Sequence, residues 1–391
     1  MQQGTSSEHF FETEYAKKER RAAKAGNKNG NPIVLKSKLL AAIRDPASPS
    51  SLLIAESTGS VRRVNVDTGD TKKQVYRGPS APVTCVAVGG PGNQLVFAGS
   101  WDKDVWSWDV SSKALGRKYS GHSDFVKAVV CAKIGGKDCL ISGGADKKII
   151  VWDTATGARL HTLQDQAVSM MAVQHLAIDP VLSGPDEILL ISASSDPHIR
   201  RWRVRLDGFE QVEETPPGEP GAVRHTILEH DTTVYRLLFD VEGEDVDLWT
   251  SSGDGTAKNL SRARNFAPDD TIEHGDHVRT VALTDQWVLT AGRDEDIKVW
   301  DRSSGKLYCT LEGHYDEVTD LVTLGGSNRV ASISIDGTVR TWELGLKELD
   351  RVNKEKEEKA KGVVKETPAE PAEGAMTAEE EAELAALMDE D

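Results

Sequence analysis

Ser142-Gly-Gly-Ala-Asp146-Lys-Lys-Ile-Ile-Val-Trp152-Asp153 is the stretch that decides the fold. Small residues lead into a tight turn holding Asp146, and six residues later Trp152 closes a short apolar run. The same step recurs from Asp102 to Trp108, Asp196 to Trp202, Asp294 to Trp300 and Asp336 to Trp342. It recurs in weaker form from Asp254 to Leu260 and from Thr58 to Val64, giving seven copies of one offset. Trp108 to Trp152 spans 44 residues, Trp152 to Trp202 spans 50, and Trp300 to Trp342 spans 42.

A period of about 40–45 residues that ends in Trp-Asp marks four short strands per unit, stacked around an axis. The reading is therefore an all-β, seven-bladed propeller with helical or unstructured N- and C-terminal extensions. A chain of 391 residues would otherwise read as two or three domains, but repeated units lean on their neighbours and one ring can be large. The expected organisation is a charged helical arm at 1–31, the propeller at 32–348, a charged linker at 349–375 and an acidic amphipathic helix or tail at 376–391. Residues 32–37 are short, apolar and isolated, so they are expected to pair with the last blade and remove the two open edges. Blades are expected near 38–77, 82–119, 121–163, 168–228, 234–274, 278–312 and 318–348. Asp207 to Ala222 is polar and rich in proline, and reads as an exposed loop rather than a strand.

The chain resembles the WD40 repeat (beta-transducin-like) family over about residues 32–348. The likeness rests on Gly121-His122 and Gly313-His314 before first strands, and on Trp-Asp at Trp108, Trp152 and Trp300. The resemblance implies a buried hydrogen-bonded set of His, Ser or Thr, Asp and Trp in each blade. Matched by position, these are His122, Ser142, Asp146 and Trp152; His274, Thr290, Asp294 and Trp300; and His314, Ser332, Asp336 and Trp342. Blade 5 has His230, Thr250 and Asp254 but no Trp, and blade 4 has Ser192, Asp196 and Trp202 but no His. Blade 2 has Ala98 and Pro79 at the Ser and His places. Such sets imitate a catalytic constellation, yet their expected work is to satisfy buried donors inside an apolar blade.

In a propeller the loops of one kind emerge on one face. The residue before each turn Asp (Ser57, Trp101, Ala145, Ser195, Gly253, Arg293, Ile335) is expected there, with Phe125, His277, Tyr315 and Glu317 from the segments entering each first strand. Trp, Tyr and Arg dominate interface energetics. Trp101, Phe125, Arg293, Tyr315 and His277 are therefore the candidate partner-binding face.

Composition bounds the rest. Net charge is −16, from 47 basic and 63 acidic residues, and residues 366–391 hold ten acids with no Lys or Arg. Thr377-Ala-Glu-Glu380 is a capping box, and Leu384, Leu387 and Met388 follow on one helical face as a candidate tail motif. Cys85, Cys131, Cys139 and Cys309 are scattered without metal-ligand spacing, which suits buried thiols in a reducing compartment. No apolar signal region or span of 18 apolar residues is present. No P-loop, G-x-S-x-G or H-E-x-x-H occurs. The expectation is a soluble intracellular scaffold or adaptor subunit, in cytoplasm or nucleus, that binds other proteins. No catalytic residues, metal, cofactor, small-molecule substrate or membrane contact are expected. Two alternatives stand beside it. One is a chaperone for a basic client such as a ribosomal protein or histone, using the acidic tail. The other is an RNA-associated complex subunit that uses Lys17 to Arg21 with Arg200, Arg201 and Arg203.

Overall fold

The computed structural model describes residues 19–361 apart from 20, 23, 72–73, 166, 217, 219–220, 242, 244 and 326–327. The chain divides into two units, Met1–Leu349 and Asp350–Asp391. In the first unit, seven four-stranded antiparallel sheets follow one another in chain order. Blade 1 comprises β2 (Leu39–Arg44) to β5 (Val75–Arg77), and blade 2 comprises β6 (Val83–Gly89) to β9 (Leu115–Ser120). Blades 3 to 6 begin with β10 (Val126–Ile134), β14 (Val173–Ile178), β18 (Val234–Phe239) and β22 (Val278–Leu283). Blade 7 is β26 (Val318–Leu324), β27 (Arg329–Ser334) and β28 (Thr338–Glu343), completed by the first strand of the chain, β1 (Ile33–Val34).

That closure has a definite register. Ile33 faces Val339, Val34 faces Thr338, and Leu35 donates its N–H to the Gly337 carbonyl at 2.8 Å. Gly337 has φ of +81°, and a Cβ there would meet the Leu35 carbonyl oxygen at 2.8 Å. The seam thus needs a residue without a side chain.

Alternation along the inner strands sends apolar side chains to both blade faces, where they meet the next blade. One core cluster joins Ile141 and Val151 of blade 3 to Val173, Leu190 and Trp202 of blade 4. Another joins Leu52 and Ile54 of blade 1 to Leu324 and Ile333 of blade 7, across the seam. Because these cores lie between blades, no blade buries its apolar surface alone.

Blade 4 departs from expectation. Its outer strand, Phe209–Gln211, lies inside the stretch expected to be an exposed loop, and it pairs Trp202 with Gln211 and Val204 with Phe209. Glu214 is also buried rather than exposed. The charge on Glu214 is matched by Arg201 at 2.7 Å, which is why a polar stretch can pack here. After the propeller, Leu346–Ala360 is a helix, in the Lys- and Glu-rich stretch that reads as a solvated helix or a charged linker.

The N-terminal segment lies on blades 6 and 7. Thr341 donates its N–H to the Gly30 carbonyl at 2.7 Å, and the buried Arg340 guanidinium donates to the carbonyls of Asn29 and Asn27. Arg21 pairs with Asp316 at 2.6 Å and Lys24 with Glu295 at 3.0 Å.

Candidate partner-binding face and channel

Each blade carries one polar set, and the three complete ones share one order of partners, Trp to Ser or Thr to His to Asp. In blade 3, Trp152 Nε1 donates to Ser142 Oγ at 2.8 Å. His122 Nε2 lies 2.8 Å from that oxygen and Nδ1 lies 2.9 Å from Asp146. An indole N–H can only donate. The Asp146 carboxylate can only accept, so Nδ1–H donates to it; the bare Nε2 then accepts the Ser142 hydroxyl hydrogen, while Ser142 Oγ accepts from Trp152. Blade 7 repeats this through Trp342, Ser332, His314 and Asp336 at 2.9, 2.7 and 2.9 Å. Blade 6 turns the ring over: His274 Nδ1 meets Thr290 at 2.8 Å, Nε2 meets Asp294 at 3.0 Å, and Trp300 donates to Thr290 at 2.7 Å. Burial opposes ionisation of Asp294, but His274 and Lys298 outweigh it and hold its carboxyl down to about 2.

The incomplete blades use substitutes. Blade 5 keeps His230 between Thr250 and Asp254 at 2.7 and 2.8 Å. In blade 4 a fully buried arginine replaces the missing His: Arg200 reaches Asp165 at 2.6 Å and Asp196 at 3.0 Å. In blade 2, Trp108 Nε1 donates to the Arg77 carbonyl, and Asp102 accepts instead from Trp106 Nε1 at 2.9 Å. In blade 1 the buried Glu56 accepts from Ser60, Ser37 and Arg62. The strand arginines proposed as RNA contacts are likewise committed to carboxylates. Arg201 pairs with Glu214, and Arg203 with Glu210 and Glu187. Lys17, Lys18 and Arg20 lie outside the described residues, as do Leu384, Leu387 and Met388.

These sets anchor the loops of one face. The residue before each turn Asp donates its backbone N–H to the residue before the same blade's first strand. The pairs are Ser57 with Lys38, Trp101 with Pro82, Ala145 with Phe125, Ser195 with Ala172, Gly253 with Thr233, Arg293 with His277 and Ile335 with Glu317, all between 2.7 and 3.2 Å. Of the entering-segment residues expected on this face, Phe125, His277 and Glu317 each meet their blade's turn residue in this way, and Tyr315 does not. Gly292 shows how tight this is, because a Cβ there would overlap the His277 carbonyl oxygen.

Of the expected face residues, Trp101 and Phe125 come together. Their rings stack at 4.9 Å and 14°, and they stay exposed at 44% and 39%. Arg293 is exposed and His277 half-buried. Tyr315 differs: its hydroxyl donates to the Asp336 carbonyl at 2.9 Å, so it braces blade 7 as well as facing outward. Trp101, His277 and Arg293 line the mouth of a central channel of about 530 Å³.

The channel wall contains a ring that the sequence reading missed. Every first strand has a bulge directly after its first buried residue. A bulge leaves one residue unpaired and re-aims it. The seven residues so placed are Leu40, Thr84, Lys127, Gln174, Tyr235, Arg279 and Thr319, and all line the channel. They could have been found as the residue following the first apolar position of each unit. Thr84 and Thr319 bond to the carbonyls of Val126 and Leu39 in the next blade. The Arg279 guanidinium stacks 4.6 Å over the Tyr235 ring.

The four cysteines are free, and burial pushes the Cys85 and Cys131 thiols up to about 12. Among the described residues no cluster of His, Cys, Asp or Glu could hold a metal. No helix among them is long and apolar enough to cross a membrane.

A closed ring of seven blades, pinned inside by His–Asp sets and presenting paired loops on one face, defines a repeat protein of the propeller class. The chain carries WD40 repeats. The family model described as WD domain, G-beta repeat matches residues 70–109, 113–153, 268–301 and 305–343. The blades left out are the first, fourth and fifth; the first and fifth lack the Trp and the fourth lacks the His, while blade 2 is matched although Pro79 stands at its His place. An uncharacterized WD repeat-containing protein of Schizosaccharomyces pombe is 29% identical over 99% of both chains. The nuclear distribution protein PAC1 of Coccidioides posadasii is 30% identical over 69% of this chain and 58% of its own. A p21-activated protein kinase-interacting protein 1-like protein of Xenopus laevis is 24% identical over 69% of this chain and 66% of its own. The chain thus spans nearly all of the first relative but only about half to two thirds of the others.

Proposed function

We propose that this protein is a non-catalytic adaptor whose partner docks on the face bearing Trp101, Phe125, His277 and Arg293. WD40 propeller proteins act as protein-interaction scaffolds, and the finer reading concerns where this one binds. The observation that carries it is the exposed Trp101–Phe125 stack. Two large rings held against each other in water offer a rigid apolar step that loses little entropy on docking. Across the ring, in blade 6, the exposed Arg293 adds a charged side chain to the same channel mouth. The blade sets below hold every loop in place, so the face is formed before the partner arrives.

The test is affinity purification with a Trp101→Ala, Phe125→Ala variant whose melting matches the parent. Loss of the partners captured by the parent is expected. Unchanged capture would move the binding surface elsewhere.

A further inference from the structure

The bulge ring is uneven in charge. Lys127, in blade 3, is half-buried in the channel wall. Among the described residues it has no hydrogen bond or ion pair. Burial, and behind it the like charge of Arg279, lowers its ammonium to about 8. A buried cation without a counter-charge is costly to keep. The carboxylates of the wall do not answer it. Asp320 is occupied by the Ala42 N–H at 3.1 Å, the Thr280 hydroxyl at 3.2 Å and Arg236 at 3.2 Å. Glu317 lies 3.9 Å from Arg279.

Two further polar atoms of the wall lack a protein partner, Arg236 Nε and His175 Nδ1. His175 is half-buried, and both it and Arg236 line the channel. Lys127, Arg236 and Arg279 therefore stand against Glu317 and Asp320 in this space, within a chain whose net charge is −16. A local excess of cations, concentrated in a low-dielectric funnel, is what attracts and holds an anion. Uncompensated charge and unpartnered polar atoms gathered in one cavity are also where stability is given up for binding.

We propose that the channel mouth is an oxyanion site: Lys127 and Arg279, backed by Arg236 and His175, receive a phosphate or carboxylate group that enters past Trp101 and Arg293. This deepens the adaptor reading by naming the chemistry of one group on the ligand. That group arrives either on an acidic side chain of the docked partner or on a free phosphorylated molecule. The guanidinium of Arg279, braced on Tyr235, offers paired donors, and Lys127 supplies a mobile point charge opposite.

The test is calorimetric titration of the full chain with inorganic pyrophosphate and, separately, with a capped pentaglutamate peptide. Saturable binding of at least one probe is expected, falling steeply with added salt. Lys127→Met with Arg279→Met should weaken it tenfold or more, while Lys127→Arg keeps it within about threefold, as charge rather than shape is required. Lys127→Met alone should melt no lower than the parent, since it removes an unmatched charge. Binding of pyrophosphate alone would identify a free phosphate ligand, and tighter binding of the peptide would identify a partner's side chain. Failure of both probes to saturate at millimolar concentration, or equal binding by Lys127→Met, would overturn the proposal. Both titrations use purified chain without partner, so that failure would leave docking on Trp101 and Phe125 standing.

Discussion

Arg200 Nε lies 2.6 Å from Asp165 Oδ2, and neither side chain reaches solvent. Through Nη1 the same guanidinium reaches the turn residue Asp196 at 3.0 Å and the His198 carbonyl at 3.1 Å. An arginine thus does for blade 4 what histidine does for four other blades: it donates to the turn carboxylate from inside the sheet. The cost of that solution is a charge that must stay matched.

Arg200→Ala is accordingly expected to destabilise the fold by about 3–5 kcal/mol, because Asp165 would stay buried without its partner. Replacing both, Arg200→Met with Asp165→Leu, should cost much less. Urea unfolding of the two variants checks the contrast. Equal losses would mean that shape, not charge, sets the penalty.

The polar sets differ in how much they carry. Asp146→Ala removes the acceptor of the His122 ring and of the Ser123 N–H, and should cost about 1–3 kcal/mol by leaving buried donors unpaired. Asp102→Ala should cost less, since Asp102 accepts from the half-exposed Trp106. Thermal melting of the two variants side by side measures the difference.

Acid should weaken the protein in two stages. Burial, aided by Arg236 and Arg279, keeps His175 well below its ordinary value. Burial also lowers His314, although Asp336 opposes it. The unfolded chain then takes up these protons near pH 6.5 while the folded chain does not, so stability present above that pH declines as pH falls below it. Against burial, His274 lowers Asp294 to about 2, and His230 likewise holds Asp254 well below the usual carboxylate range. Their contribution is full above about pH 4 and is lost as pH falls toward 2. Urea midpoints across pH 3–8 should show both declines, and His175→Leu should shrink the upper one only.

One buried side chain carries part of the hold on the N-terminal segment. Arg340 is buried and donates to Asn27 and Asn29, whereas the Arg21–Asp316 pair is partly exposed and contributes about 1 kcal/mol or less. Arg340→Met should therefore speed tryptic cleavage after Lys24 and Lys28, and high salt alone should change it little. Mass spectrometry of a timed digest reads the result.

What was legible in the chain follows from repetition. The Asp-to-Trp offset is copied with small errors, so seven blades can be counted, and Ile33–Val34 stands out as an apolar pair with no unit of its own. The complete sets could be read because their members keep their places. Arg200 could not be read as a substitute, since its partner Asp165 lies 35 residues away and off the repeat. The outer strand Phe209–Gln211 was hidden because its support, Arg201 pairing with Glu214, is a contact rather than a local propensity. Lys127, Tyr235 and Arg279 were passed over because strand alternation assigns them an ordinary position, and only the bulge turns them toward the axis.

The most direct measurement of the account is hydrogen exchange on the full chain with and without a purified partner. The account predicts slowed exchange confined to peptides spanning Trp101, Phe125 to Lys127, and His277 to Arg293. Slowing on the outer strands instead, such as Leu115–Ser120 or Arg159–Leu163, with the channel mouth unchanged, would contradict it.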